Sequence, residues 1–139
     1  MKIYPILAAL TLGAAFAAPL SAISPKVTLI ATLAGSNETA GGDADGTGSF
    51  SAMVDADNGD FCYALKADKI AAATMAHVHS GAAGANGRPV ATIALTDDNC
   101  MAIEPDLLRA MIANPENYYV NIHNAEFPAG AVRGQLQMK

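Results

Sequence analysis

Tryptophan is absent from the 139 residues, which hold only two cysteines, three histidines and eight Lys plus Arg. Charged residues make up 15% and aromatic residues 6%, against 52% apolar residues and thirty alanines. So little charge beside so large an apolar fraction excludes an intrinsically disordered chain, whose composition runs the other way. Thirteen acidic residues outweigh the basic ones for a net charge of −5, which argues against nucleic-acid or polybasic membrane binding, since both require clustered Lys and Arg. The length suits one domain rather than two. Most of the functional argument therefore rests on the five Cys and His residues.

Missing motifs close further routes. There is no C-x-x-C spacing for a cysteine metal site. The Gly-rich stretch GAAGANG (81–87) lacks the Lys and Ser/Thr of a phosphate loop, and nothing marks a nucleophile elbow. Asp55, Asp57 and Asp60 with Asn58 have the look of a calcium loop. The twelfth position counted from Asp55 is nevertheless Lys66, where a closing Glu is required, so the segment reads as a hairpin turn.

What is present begins with a leader. Residues 1–22 carry one charge, Lys2, then an apolar run over 6–18, then Pro19, Ser21 and Ala22. This three-part layout is that of a secretory signal peptide, with cleavage expected after Ala22 and Ala17 or Ala18 as alternatives. The alternative reading is an uncleaved anchor, but the run is shorter than the roughly 20 apolar residues of a membrane span. No Cys stands near the cleavage region for lipid attachment. The expectation is a periplasmic or secreted chain of residues 23–139, with seven basic against thirteen acidic residues and no membrane span once the leader is removed. In that oxidising compartment Cys62 and Cys100 are expected to pair as a disulfide, the alternative being two buried thiols.

The remainder reads as short strands with turn punctuation. Alternation marks strands over 26–33, 49–54 and 61–67, the last two joined at Asp57-Asn58-Gly59-Asp60 with Phe61, Tyr63 and Leu65 inward. Further strands are expected over 70–79, 90–95, 118–123 and 131–137, with loops over 35–48, 80–89 and 124–130. Residues 96–99 read as a turn leading into Cys100. One helix is expected over 105–113, opened by Pro105, carrying Leu107, Leu108, Met111 and Ile112 at helical spacing, and stopped by Asn114-Pro115. The pattern predicts an all-β fold: an antiparallel sandwich or Greek-key barrel with one short helix.

All three histidines fall in strand segments. His77 and His79 flank Val78, so both imidazoles point the same way, about 6.5–7 Å apart along the strand. His123 shares its strand face with Tyr119 and Asn121. If the strands cross, three neutral nitrogens meet in a site that suits copper or zinc, and imidazole alone does not choose between them. The competing reading is an H-x-H pair that decorates a solvated strand face. Arg133 could steer an anion to the metal or pair with Glu126, or it could simply sit on a solvated face.

Residues 76–95 (AHVHSGAAGANGRPVATIAL) and 114–136 (NPENYYVNIHNAEFPAGAVRGQL) resemble the CHRD domain, the module named after chordin. The resemblance runs through H-V-H-x-G, N-G-R-P-V, Y-V-N-I-H-N and F-P-A-G-A-V-R-G-Q-L, and covers residues 23–139 nearly end to end. The positions of Cys62 and Cys100 are also similar to those of bacterial single-domain members. The resemblance implies an exported immunoglobulin-like β-sandwich. In chordin such domains accompany modules that bind growth factors. The fold and the H-V-H strand are further similar to copper/zinc superoxide dismutases. That similarity implies His77, His79 and His123 as copper ligands and Arg133 as the guide for a small anion such as superoxide. With three histidines in all, the bridging and zinc ligands have no counterparts, so the implied site is copper-only. Two functions follow: an exported protein holding one metal ion, copper with zinc as the alternative, with superoxide-dismutase-like activity as a separate question; or a non-catalytic β-sandwich for protein binding or adhesion with structural histidines.

Overall fold

Strict alternation over the first half of the chain produces an antiparallel meander. In the computed structural model, which describes residues 25–96 and 98–139, β1 (Val27–Ala34) pairs along its whole length with β2 (Thr47–Asp55). β2 in turn pairs with β3 (Asp60–Asp68). The leader expected over 1–22 lies outside the described residues. Period-two geometry turns Leu29, Leu33, Phe50, Ala52, Val54, Phe61, Tyr63 and Leu65 to one face, where all are buried. The rings of Phe50, Phe61 and Tyr63 lie 5.8–6.1 Å apart, centroid to centroid. The β2–β3 turn closes around Asp55, whose carboxylate accepts hydrogen bonds from the Asp57 and Asn58 backbone N–H and from Asn58 Nδ2. That commitment makes the acidic stretch a hairpin turn.

The second half adds β4 (Ala73–Ser80), β5 (Pro89–Ile93), β6 (Asn99–Ala102), β7 (Tyr118–Asn124), β8 (Val132–Gln135) and β9 (Gln137–Met138). The strand order is β5-β4-β7-β8-β1-β2-β3-β6, with β9 also on β1. The two halves are joined where Ala34 of β1 meets Arg133 of β8. Ala76, Val78, Val120, Ile122 and Val132 from one half then share a single core with the meander. Among the described residues the chain is all-β, two packed faces over one core with one short α-helix, as the periodicity predicts. That helix, α1 (Pro105–Ala113), buries Leu108 and Met111 completely, with Leu107 and Ile112 packed beside them.

Some boundaries shift for tertiary reasons. Residues 70–72 lie outside β4, and the strand expected over 131–137 splits at Leu136. The Leu136 side chain is fully buried and its N–H bonds to the Tyr118 carbonyl. The region around Cys100, expected as a turn, is the edge strand β6, which pairs only with β3. Its register sets Cys100 directly opposite Cys62, and the two form a disulfide across 38 residues of sequence. Local periodicity is too short to reveal four residues held in place by a cross-strand partner.

Closing a 38-residue loop restricts the unfolded chain by about 4 kcal/mol in the chain-entropy model, an upper figure. The double variant Cys62→Ser/Cys100→Ser is expected to fold and to lose about 2–4 kcal/mol of unfolding free energy in a urea titration. An unchanged midpoint would show that the disulfide does not contribute.

Candidate metal centre

β7 is buried on both faces. Val120 and Ile122 enter the core, while Tyr119, Asn121 and His123 line the other side with at most 7% exposure. β4 lies beside it in antiparallel register, with His77 opposite Asn121, His79 opposite Tyr119 and Met75 opposite His123. A β-bulge between Ala73 and Met75 adjusts that register. The crossing expected of the two histidine strands is therefore formed by direct pairing. One ring nitrogen from each of His77, His79 and His123 can be chosen so that all three lie within 4.8 Å of one another. His77 Nδ1 stands 3.1 Å from His123 Nε2.

Backbone carbonyls decide which nitrogens remain available. A carbonyl only accepts, so His79 Nδ1, 2.9 Å from the Gly87 carbonyl, carries its ring proton. By the same argument His123 Nδ1, 3.0 Å from the Pro128 carbonyl, carries its own. The lone pair of each neutral ring is then on Nε2. His79 Nε2 is buried and has no hydrogen-bond partner. His77, the most exposed of the three rings, donates its Nδ1–H to the His123 Nε2 lone pair in the metal-free protein, and offers Nδ1 as a ligand when its proton sits on Nε2. The donors are thus His77 Nδ1, His79 Nε2 and His123 Nε2. Two ligand atoms on one ion with bonds of about 2.0–2.1 Å stand about 2.9–4.1 Å apart, so small ring movements bring the set to a common ion.

The carbonyls arrive on loops that fold back over the outer face. In the loop over 124–130, the Asn124 side-chain oxygen accepts from the N–H groups of Glu126 and Phe127, a turn that delivers Pro128 to His123. The loop over 81–88 is drawn down by Gln135 Nε2 on the Gly81 carbonyl and by Arg133 Nη2 on the Ala82 and Ala85 carbonyls. Its base holds Gly87, where a Cβ would run into the Ser80 carbonyl oxygen. Only glycine permits the approach that puts this carbonyl on His79.

The structure places Arg133 beneath the surface, with 1% exposure. Its Nη1 donates to Asn86 Oδ1 at 3.2 Å, and its guanidinium carbon sits 3.4 Å from the Tyr119 ring centroid. The His79 ring stacks on the same tyrosine, 4.8 Å between centroids and 7° from parallel. Strand order puts His79 (β4) and Arg133 (β8) on opposite sides of Tyr119 (β7). An arginine that guides anions presents its charge to solvent, whereas this one spends its donors on a loop. The acid whose charge it feels is Glu38, not the exposed Glu126.

Glu38, Tyr119, Gly87 and Pro128 are the members that residue patterns do not single out. Tyr119 and Asn121 are legible only as sharing the face of His123. Glu38 lies in a polar Gly-rich loop with no periodicity, and Gly87 and Pro128 act through backbone atoms common to every residue type.

Burial pushes the His77 imidazole below the usual histidine value, with the charges of His123 and His79 adding to the effect. Burial likewise lowers His79, opposed by its bond to Gly87 and by the nearby Asn121 side chain, and helped by His123 and Arg133. On acidification below about pH 6.5 the unfolded chain therefore takes up these protons first. Stability present above that pH is lost as the pH falls through the depressed folded values. The melting temperature of the metal-free protein is expected to fall between pH 7 and pH 5, and less so in His77→Ala. Long-range nitrogen–proton NMR spectra at pH 8 are expected to show the Nδ1–H tautomer for His79 and His123. The Nε2–H tautomer at both would contradict the donor set.

No curated protein and no solved structure matches the chain significantly. The profile of the CHRD domain family matches residues 29–136, well over half of the 139 residues. The match takes in both histidine strands, both cysteines and Arg133, so the chain belongs to the CHRD domain family.

Proposed function

We propose that this CHRD domain binds a single metal ion, copper, through His77 Nδ1, His79 Nε2 and His123 Nε2. The observation that carries the reading is the buried, unpartnered His79 Nε2, aimed into a space that two further imidazole nitrogens share. A buried nitrogen without a partner costs about 1–3 kcal/mol, and a bound cation removes that cost. Three imidazoles suit copper and zinc alike; the Irving–Williams order favours Cu(II) over Zn(II) for a nitrogen site of this kind. The similarity of the H-V-H strand to copper-binding superoxide dismutases points the same way. An excess of acidic over basic side chains favours the approach of a cation. Export through the N-terminal leader, to the periplasm or beyond, is part of this proposal, and the disulfide agrees with it.

Redox turnover of superoxide is a narrower reading. The partly exposed His77 leaves the site one side toward solvent, but Arg133 is withdrawn from it. A xanthine oxidase–cytochrome c assay separates the two. A rate no greater than that of free copper limits the function to binding.

Cu(II) added to the purified chain is expected to give an EPR signal with coupling to three nitrogens, and His79→Ala is expected to lose that pattern. Free metal at one hundred times Kd should add about 2.7 kcal/mol to stability, read as a melting temperature several degrees higher. Absence of nitrogen coupling together with an unshifted melting temperature would reject metal binding and favour the structural reading of the histidines.

A further inference from the structure

Asn121 lies between the histidines. It is 3% exposed, directly opposite His77 in the β4–β7 register, and its Oδ1 stands 3.1 Å from His123 Nε2. Since the Pro128 carbonyl holds the ring proton of His123 on Nδ1, the neutral ring offers Nε2 only as an acceptor. The amide oxygen is also an acceptor. Two acceptors at this distance repel each other, and the His79 Nε2 lone pair faces the same space without a donor.

The amide does not relieve this by turning over. Its other end lies within reach of the Glu38 carboxyl while Oδ1 is turned to His123, so presenting Nδ2 to His123 would set the Asn121 oxygen against Glu38. Burial raises the Glu38 pKa, opposed by the charge of Arg133 and by the Asn121 contact, and its buried Oε1 has no hydrogen-bond partner. A cation among these atoms and His77 Nδ1, whose proton then moves to Nε2, turns the repulsion into an attraction. Two donors on one ion with bonds near 2 Å stand about 2.9 Å apart at a right angle and about 3.3 Å at the tetrahedral angle. The 3.1 Å between Asn121 Oδ1 and His123 Nε2 falls between these.

From this geometry we propose that Asn121 Oδ1 is the fourth metal donor, making the site three nitrogens and one oxygen, and that Glu38 is the positioning residue that aims it. The proposal rests on the three-histidine reading above. By accepting from Nδ2, the Glu38 carboxylate polarises the amide and places more negative charge on Oδ1, which strengthens it as a donor to a cation.

The test is Cu(II) EPR together with chelator-competition titration of the purified chain. Asn121→Leu is expected to keep coupling to three nitrogens, to bind at least about tenfold more weakly, and to shift the parallel g value. Asn121→Asp retains an oxygen and adds charge. It is expected to bind at least as tightly as the parent with a lower parallel g. Glu38→Gln satisfies either amide orientation, so it is expected to weaken binding about tenfold and to give two superimposed spectra. Parent-like affinity and spectrum in Asn121→Leu would overturn the assignment and leave the three-histidine reading standing. If that variant does not fold, an unchanged parallel g in Asn121→Asp overturns it instead. A Glu38→Gln spectrum identical to the parent removes the positioning role, and a parent without nitrogen coupling removes the reading beneath it.

Discussion

The guanidinium of Arg133, sealed from solvent, is the constraint on which the site depends. A buried cation is costly unless its donors are satisfied, and here they reach the carbonyls of Ala82 and Ala85 and the side chain of Asn86. The flat face of the group lies on Tyr119, a contact a lysine cannot reproduce with the same hydrogen bonds. By holding the loop over 81–88 against β7 and β8, Arg133 brings the Gly87 carbonyl to His79. Its positive charge also helps to keep that imidazole neutral, the form in which it can donate to a metal. Thr39 bonds the same Asn86, and Asn37 bonds the Arg133 carbonyl, so the loop over 35–46 that carries Glu38 is tied into the same knot.

Strands and loops divide the labour. The paired strands β4 and β7 set how far apart the three imidazoles stand, because their spacing is that of the sheet itself. The loops set which nitrogen of each ring is free, by placing a carbonyl on the other one. Orientation by an outer partner of this kind is what tunes metal ligands in general. In this chain the partner is backbone for His79 and His123. His77 is the looser member: its Nδ1 meets His123, and its ring is the one open to solvent.

The electrostatics of the whole chain favour a site that receives cations. The net charge is negative, and the basic residue nearest the histidines in function is buried and committed. The polar atoms that face the shared space are imidazole nitrogens and an amide oxygen, with one ring proton, that of His77, between them. An active centre for anions has the opposite character, with donors and positive charge at its mouth. Membership of the CHRD family is established by the match over both histidine strands; a cluster of three imidazoles that could hold a metal ion is what the arrangement of those histidines adds to it.

Local pattern decides much of this molecule. Alternation determines which residues of each strand share a face, so His77 with His79, and Tyr119 and Asn121 with His123, are legible as rows in the sequence by itself. The helix over Pro105–Ala113 and the pairing of two cysteines are legible for similar reasons, one from spacing and one from scarcity. The tertiary structure alone decides that the two rows meet, which ring nitrogens are free, that Arg133 is buried, and that Glu38 faces Asn121. The physical reason is range. A strand's faces follow from a two-residue repeat. The partner of a ring nitrogen or a guanidinium, by contrast, is a backbone atom on a distant loop, and every residue type supplies the same backbone atom.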